Sequence, residues 1–114
     1  MTFDEYQKKA ITTDLMKGTS SLAHDPALVA KVLGLVGEAG EVAEKFKKII
    51  RDKEGVVSLE NKQEIAKELG DVLWYIAVVA HYLGLPLDDV ANKNIEKLFS
   101  RKARGTARGS GDNR

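Results

Sequence analysis

Glu38 with Glu41, and Glu68 with Asp71, form two acidic pairs of i,i+3 spacing. On a helix that spacing sets both side chains of a pair on one face, a turn apart. Each pair borders a long apolar stretch, where an unpaired charge is costly. Two helices that bring such pairs together make a compact, negative, oxygen-only site. That is the ligand set of a hard divalent cation such as Mg²⁺. One pair alone is commonly just a solvated helix face; two pairs on successive long helices, both beside the core, put a metal centre on an even footing with that reading.

A basic stripe accompanies them. Asn94, Lys97 and Arg101 share a helix face beside the apolar Ala91, Ile95 and Leu98. Cations near a helix C-terminus suit its dipole without any further role. Opposite a metal site the same stripe becomes a phosphate clamp, with lysine as a point charge and arginine as a fork.

The elements that must position these residues are helical. Apolar residues recur at helical period, and no stretch alternates like a half-buried strand. The first helix is expected from Thr2 to Lys17, closed by Gly18, with Phe3, Tyr6, Ala10 and Leu15 inward. A polar loop, Gly18–His24, follows. Asp25 and Pro26 then supply an N-cap and first-turn pair for a second helix reaching Arg51. At ~1.5 Å per residue this helix is close to ~40 Å long.

The apolar residues of the second helix, from Leu28 through Val32, Leu35, Val36, Ala39, Val42, Ala43 and Phe46 to Ile50, fall on one broad arc with Glu38 and Glu41 at its edge. Gly34, Gly37 and Gly40 each cost about 1 kcal/mol relative to alanine inside a helix. They imply close approach of another backbone or a ligand. After a turn at Asp52–Val57, Ser58 caps a third helix that runs to Leu83 and stops at Gly84. From Asp71 onward this helix is apolar almost all round, which predicts burial on most sides and an Asp71 at the mouth of a dry region. Pro86, Asp88 and Asp89 open a fourth helix ending near Lys102. The expected organisation is one all-α domain over residues 1–102 and a disordered tail over 103–114.

Composition narrows the classes. A chain of 114 residues with 43% apolar and 31% charged residues suits one soluble domain. A net charge of +1 gives no basic field for nucleic acid. The lack of cysteine removes disulfides, zinc–thiolate sites and cysteine nucleophiles. The first residues carry charges and no apolar signal region, and the longest apolar run, Val72–Leu83, is too short to span a bilayer. A cytoplasmic protein is expected, with no membrane partner.

The string from Gly37 to Glu44, Gly-Glu-Ala-Gly-Glu-Val-Ala-Glu, followed by Glu68-Leu-Gly-Asp-Val-Leu-Trp-Tyr75, resembles the MazG-like family of all-α nucleoside triphosphate pyrophosphohydrolases. The later Asn94-x-x-Lys97-Leu98-x-x-Arg101 is similar as well. The resemblance spans about residues 28–105, with one departure: Gly37 stands where the family pattern has the first of two glutamates. Glu64 and Glu44 are the residues nearest to compensating.

The resemblance implies a four-helix MazG-like bundle completed by oligomerisation, as a homodimer or dimer of dimers. It implies hydrolysis of an NTP or dNTP to the monophosphate and pyrophosphate. Glu38, Glu41, Glu68 and Asp71 would hold Mg²⁺, with Mn²⁺ as a substitute. Glu41 and Glu38 are then the catalytic candidates, Glu41 orienting or deprotonating water. Asn94, Lys97 and Arg101 would bind the substrate. Tyr6, Gln7, Trp74, Tyr75, His81 and Tyr82 are the side chains able to meet a base, each with a structural role to compete.

A non-catalytic helical interaction module, its acidic pairs bridging lysines and arginines on partner helices, is the alternative from another class. A di-iron carboxylate bundle needs a glutamate three residues before a histidine, which neither His24 nor His81 has. A helix-turn-helix over Leu83–Lys97 is disfavoured by the near-neutral charge.

Overall fold

The computed structural model describes residues 1–18 and 22–114. The middle of the expected Gly18–His24 loop lies outside them. Four helices, α1 (Phe3–Ile11), α2 (Pro26–Lys53), α3 (Leu59–Tyr82) and α4 (Leu87–Ala103), make an all-α fold with no strand among the described residues.

Their ends follow from local chemistry. Thr2 and Glu5 form a capping box on α1. That helix stops at Ile11 rather than at Lys17, because Thr12 and Thr13 turn their hydroxyls onto the carbonyls of Lys9 and Ala10, each at 2.7 Å. Leu15, expected inward, is fully exposed as a result. The Asp25 carboxylate accepts from the amides of Ala27 and Leu28 and starts α2. Glu54 (φ 53°) and Gly55 (φ 79°) reverse the chain after it. Ser58 and Asn61 cap α3, and Gly84 (φ 70°) ends the turn that follows.

The start of α4 has no cap from its own segment. It borrows one from α1: the Leu87 amide donates to Gln7 Oε1 at 3.2 Å, and the Asp88 amide to Asp4 Oδ1 at 2.9 Å. Gln7 also donates to the carbonyls of Ala77 and Leu85. Its buried amide is thus fully engaged, and its role is structural.

α2 and α3 form an antiparallel hairpin whose register is set by four pairs of residues: Lys31 with Tyr82, Gly34 with Tyr75, Lys45 with Glu68, and Lys53 with Asn61. α1 packs on α3, and α4 packs on α1 and α3; α4 makes no contact with α2. The core, Ala10, Ala77, Val78, Ala80 and Leu87 with Tyr6, Ile11, Trp74 and Tyr82 around it, lies where α1, α3 and α4 meet.

The broad apolar arc expected on α2 divides in two. Leu28, Lys31, Leu35, Glu38, Val42, Lys45 and Ile49, spaced alternately by three and four, are buried or half-buried on the α3 side. A second stripe of the same spacing, Val32, Val36, Ala39, Ala43, Phe46 and Ile50, faces outward and is exposed. α3 likewise buries Ala77, Val78 and Ala80 but leaves Leu69, Ile76 and Leu83 partly bare. Within one chain it is therefore less covered than its composition suggests. Among the described residues, no single helix is long and apolar enough to cross a membrane.

A buried ion pair fastens the segment after α1 to this hairpin. Lys31 Nζ lies 2.9 Å from Asp14 Oδ1, with both side chains almost wholly buried, and also donates to Met16 O. The Tyr82 hydroxyl donates to Asp14 Oδ2 and accepts from the Gly18 amide, both at 2.8 Å. Burial alone would raise the Asp14 carboxyl, but the hydrogen bonds from Lys31, Tyr82 and the Met16 amide, with the charge of Lys31, hold it below the ordinary aspartate value.

Candidate metal centre

Midway along the α2–α3 seam the register brings Glu38 opposite Glu68 and Asp71. Each of the three offers a carboxylate oxygen within 4.8 Å of the others. Oxygens bound to one ion at ~2.1 Å stand about 3–4 Å apart, so small rotamer changes would suffice for a shared Mg²⁺. Carboxylates on three positions of two rigid helices fit the group chemically, since a hard cation takes oxygen donors.

The electrostatics agree with that fit. The Glu38 carboxyl is pushed above the usual glutamate value, first by loss of hydration and then by the negative charges of Asp71, Glu68 and Glu41. Burial, with the charge of Asp71, also raises the Tyr6 phenol on α1. The site carries an excess of negative charge that a cation would relieve.

Two features differ from expectation. Asp71 is exposed, not buried. Glu41, a turn beyond Glu38, is exposed and stands outside the cluster of three, although its charge is felt at Glu38. Glu64 and Glu44, the residues considered as compensating for Gly37, are held by Lys67 at 2.9 Å and Lys47 at 3.7 Å.

The helical glycines separate into two kinds. A Cβ on Gly34 would lie 2.8 Å from the Tyr75 hydroxyl oxygen and closer still to the ring, so here a close approach is the explanation. Gly37 and Gly40 have nothing within 4 Å of such a Cβ, and the approach expected at them is not made within this chain.

The basic stripe lies elsewhere. Asn94 is exposed beside Lys93 and Lys97, while Arg101 is buried under the C-terminal segment. Its guanidinium donates to the carbonyls of Gly111 and Asp112. The Asp112 carboxylate lies 3.2 Å from Lys97 Nζ and 3.4 Å from Arg101 Nη2. Since α4 does not touch α2, one chain does not bring this stripe against Glu38.

Of the aromatic candidates, Trp74 donates to Thr13 Oγ1 at 2.8 Å and meets Tyr75 edge-on. Tyr82 belongs to the Asp14 network, and His81 is exposed. Sequence reading missed two cations in the seam, Lys31 and Lys45. Lys45 was open to discovery, because it falls on the face of Glu38 and Glu41, seven and four residues on.

The sequence matches the MazG nucleotide pyrophosphohydrolase domain over residues 29–105, and the chain belongs to that family. It is 47% identical over 114 residues to the Gene 37 protein of Mycobacterium phage L5, covering the whole of both chains. It is 39% identical over 72 residues to the protein YvdC of Bacillus subtilis (strain 168), covering 59% of this chain and 68% of that one. No solved structure matches.

Proposed function

We propose that the protein hydrolyses a nucleoside triphosphate, ribo or deoxy, to the monophosphate and pyrophosphate, with Mg²⁺ or Mn²⁺ as cofactor. The convergence of Glu38, Glu68 and Asp71 in the middle of the seam carries the reading, in a chain of this family. Those three side chains would hold the cation, with Glu41 beside them. When bound, the ion would neutralise phosphate charge and acidify the attacking water.

Glu41 is the carboxylate left over. It is exposed and outside the cluster, and it would orient the water and accept its proton. Water adds across the bond between the α- and β-phosphates, and pyrophosphate leaves. Lys97 and Arg101 would grip phosphate oxygens, with Asn94 on phosphate or sugar. A second copy would bring α4 to the α2 side of the seam, since within one chain the backbones of α4 and α2 do not pack on each other. The exposed apolar stripe on α2, Val32 to Ile50, is the surface suited to such a homodimer or dimer of dimers.

The test is pyrophosphate release from a panel of canonical and modified NTPs and dNTPs, with Mg²⁺ and with EDTA, for the native protein and Glu38→Gln. EDTA-sensitive release giving monophosphate, lost in the variant, is expected. Silence on every triphosphate, with no thermal response to Mg²⁺, would instead favour an interaction module. The Lys45–Glu68 pair would then be an ordinary interhelical bridge.

A further inference from the structure

We propose that Lys45 is a phosphate-binding residue of the α2–α3 metal centre, holding Glu68 in the free protein and turning to the triphosphate once Glu68 is committed to a cation. The inference rests on the hydrolase reading above for its ligand and on the seam geometry for its residue.

Lys45 shares the seam face of α2 with Glu38, two turns away, and its Nζ lies 3.6 Å from Glu68 Oε1. That distance is an ion pair without a tight hydrogen bond. The side chain is 35% exposed, and its flexible stem ends in three rotatable donors, so the ammonium is free to re-aim.

Several neighbouring cations are held in ion pairs elsewhere, and Lys48 is exposed. Lys67 pairs with Glu64, Lys47 with Glu44, and Lys97 and Arg101 with Asp112 on a helix that does not touch α2. Among the described residues, Lys45 is the cation whose ion pair is made with a member of the cluster.

Charge balance calls for it. Three carboxylates around one divalent ion leave a net negative site facing a polyanion, and one ammonium restores neutrality. Lys45 also opens onto a cleft of about 150 Å³ between the helices, lined further by Lys48, Lys53 and Asn61 and by two carboxylates, Asp52 and Glu64, that Arg51 and Lys67 already hold. A polyphosphate chain leaving the carboxylates along the seam would meet Lys45 first.

The experiment is calorimetric titration of the full chain with inorganic tripolyphosphate at saturating Mg²⁺, and separately with Mg²⁺ alone, for the native protein, Lys45→Gln and Lys45→Arg. Loss of one charge-assisted contact predicts about ten- to a hundredfold weaker tripolyphosphate binding in Lys45→Gln. Lys45→Arg should stay within about threefold of the native protein, since it keeps the charge. Mg²⁺ alone should bind Lys45→Gln at least as well as the native protein, because the ammonium competing for Glu68 is gone.

A merely structural bridge would lower thermal stability and leave tripolyphosphate affinity unmoved. Equal tripolyphosphate affinity in native protein and Lys45→Gln, or none in the native protein, overturns the proposal. Lys45-dependent tripolyphosphate binding without pyrophosphate release from any NTP would refute the hydrolase reading and leave the assignment of Lys45 standing. Turnover with an unchanged Lys45→Gln would do the reverse.

Discussion

Replacing Gly34 by alanine tests the register that assembles the candidate site, without recourse to activity. Alanine in place of a mid-helix glycine normally stabilises by about 1 kcal/mol, through backbone entropy. At Gly37 and Gly40 a new methyl meets nothing within 4 Å, so that gain should appear in full. At Gly34 it would press into the Tyr75 ring, 2.8 Å from the hydroxyl oxygen and nearer to the ring carbons. Overpacking of this kind costs about 1–3 kcal/mol, and less if the ring swings aside. The net effect at Gly34 is therefore between neutrality and about 2 kcal/mol of destabilisation. The gap between the two sites is about 1–3 kcal/mol, or ~4–15 °C in melting temperature for a chain of this size.

The assay is thermal unfolding of Gly34→Ala, Gly37→Ala and Gly40→Ala at one protein concentration, so that any self-association is held constant. A double variant, Gly34→Ala with Tyr75→Leu, should recover most of the loss. Gly34 stands a turn before Glu38, and Tyr75 a turn after Asp71. The same pairing that jams the methyl against the ring therefore sets Glu38 across from Asp71. If Gly34→Ala stabilised as much as Gly37→Ala, Tyr75 would not lie over Gly34. The convergence of carboxylates would fall with it.

The other expectations concern the buried pair and the tail. Lys31→Met leaves Asp14 charged and unpaired in a site where both side chains are nearly inaccessible, and should cost about 3–5 kcal/mol in urea unfolding. Asp14 has a carboxyl held below its unfolded value of 3.8, so its stabilisation is complete above that pH and is lost as pH falls through the lower folded value. Acid unfolding of Asp14→Asn should lack this component, and a profile identical to the native one below pH ~4 would contradict the assignment. Asp112→Asn removes the tail carboxylate from Lys97 and Arg101 while sparing the two carbonyls that hold Arg101. KM for the triphosphate should fall two- to threefold at most, an order-of-magnitude expectation for exposed ion pairs; a rise would mean that Asp112 helps rather than competes.

Much of the fold was readable from punctuation. Asp25-Pro26 and Ser58 start helices where capping chemistry requires, and Gly55 and Gly84 turn the chain where a left-handed backbone is needed. The exceptions have long-range or competing causes. Thr12 and Thr13 end α1 early by bonding their own backbone, and helical period in Leu15 and Met16 did not reveal that. The cap of α4 comes from Gln7 and Asp4, some eighty residues away, and Gln7 therefore looked like a free amide. For the candidate site, spacing brought Glu38, Glu68 and Asp71 forward because each pair lies on one helix, where period determines neighbours, and the fold sets the three close together. Spacing did not place Glu41 relative to them, nor show that α4 stays clear of α2, since both depend on packing between helices.

The division of α2 shows where period reasoning runs out. Two stripes of apolar spacing run side by side along this helix, and the one richer in charge is the one that faces α3. Lys31, Glu38 and Lys45 sit in that seam, and taken singly each is a residue that belongs in water. Each is tolerated only because a residue distant in the chain answers it: Asp14 for Lys31, Glu68 for Lys45, and for Glu38 nothing but other carboxylates. The first is a tight buried pair, which structure alone accounts for, while the second is looser and leaves its lysine half-buried. Glu38 is different: its carboxyl is raised first by loss of hydration and then by the negative charges of Asp71, Glu68 and Glu41. Three acidic groups meet one lysine in this seam, and a bound cation would answer the excess negative charge.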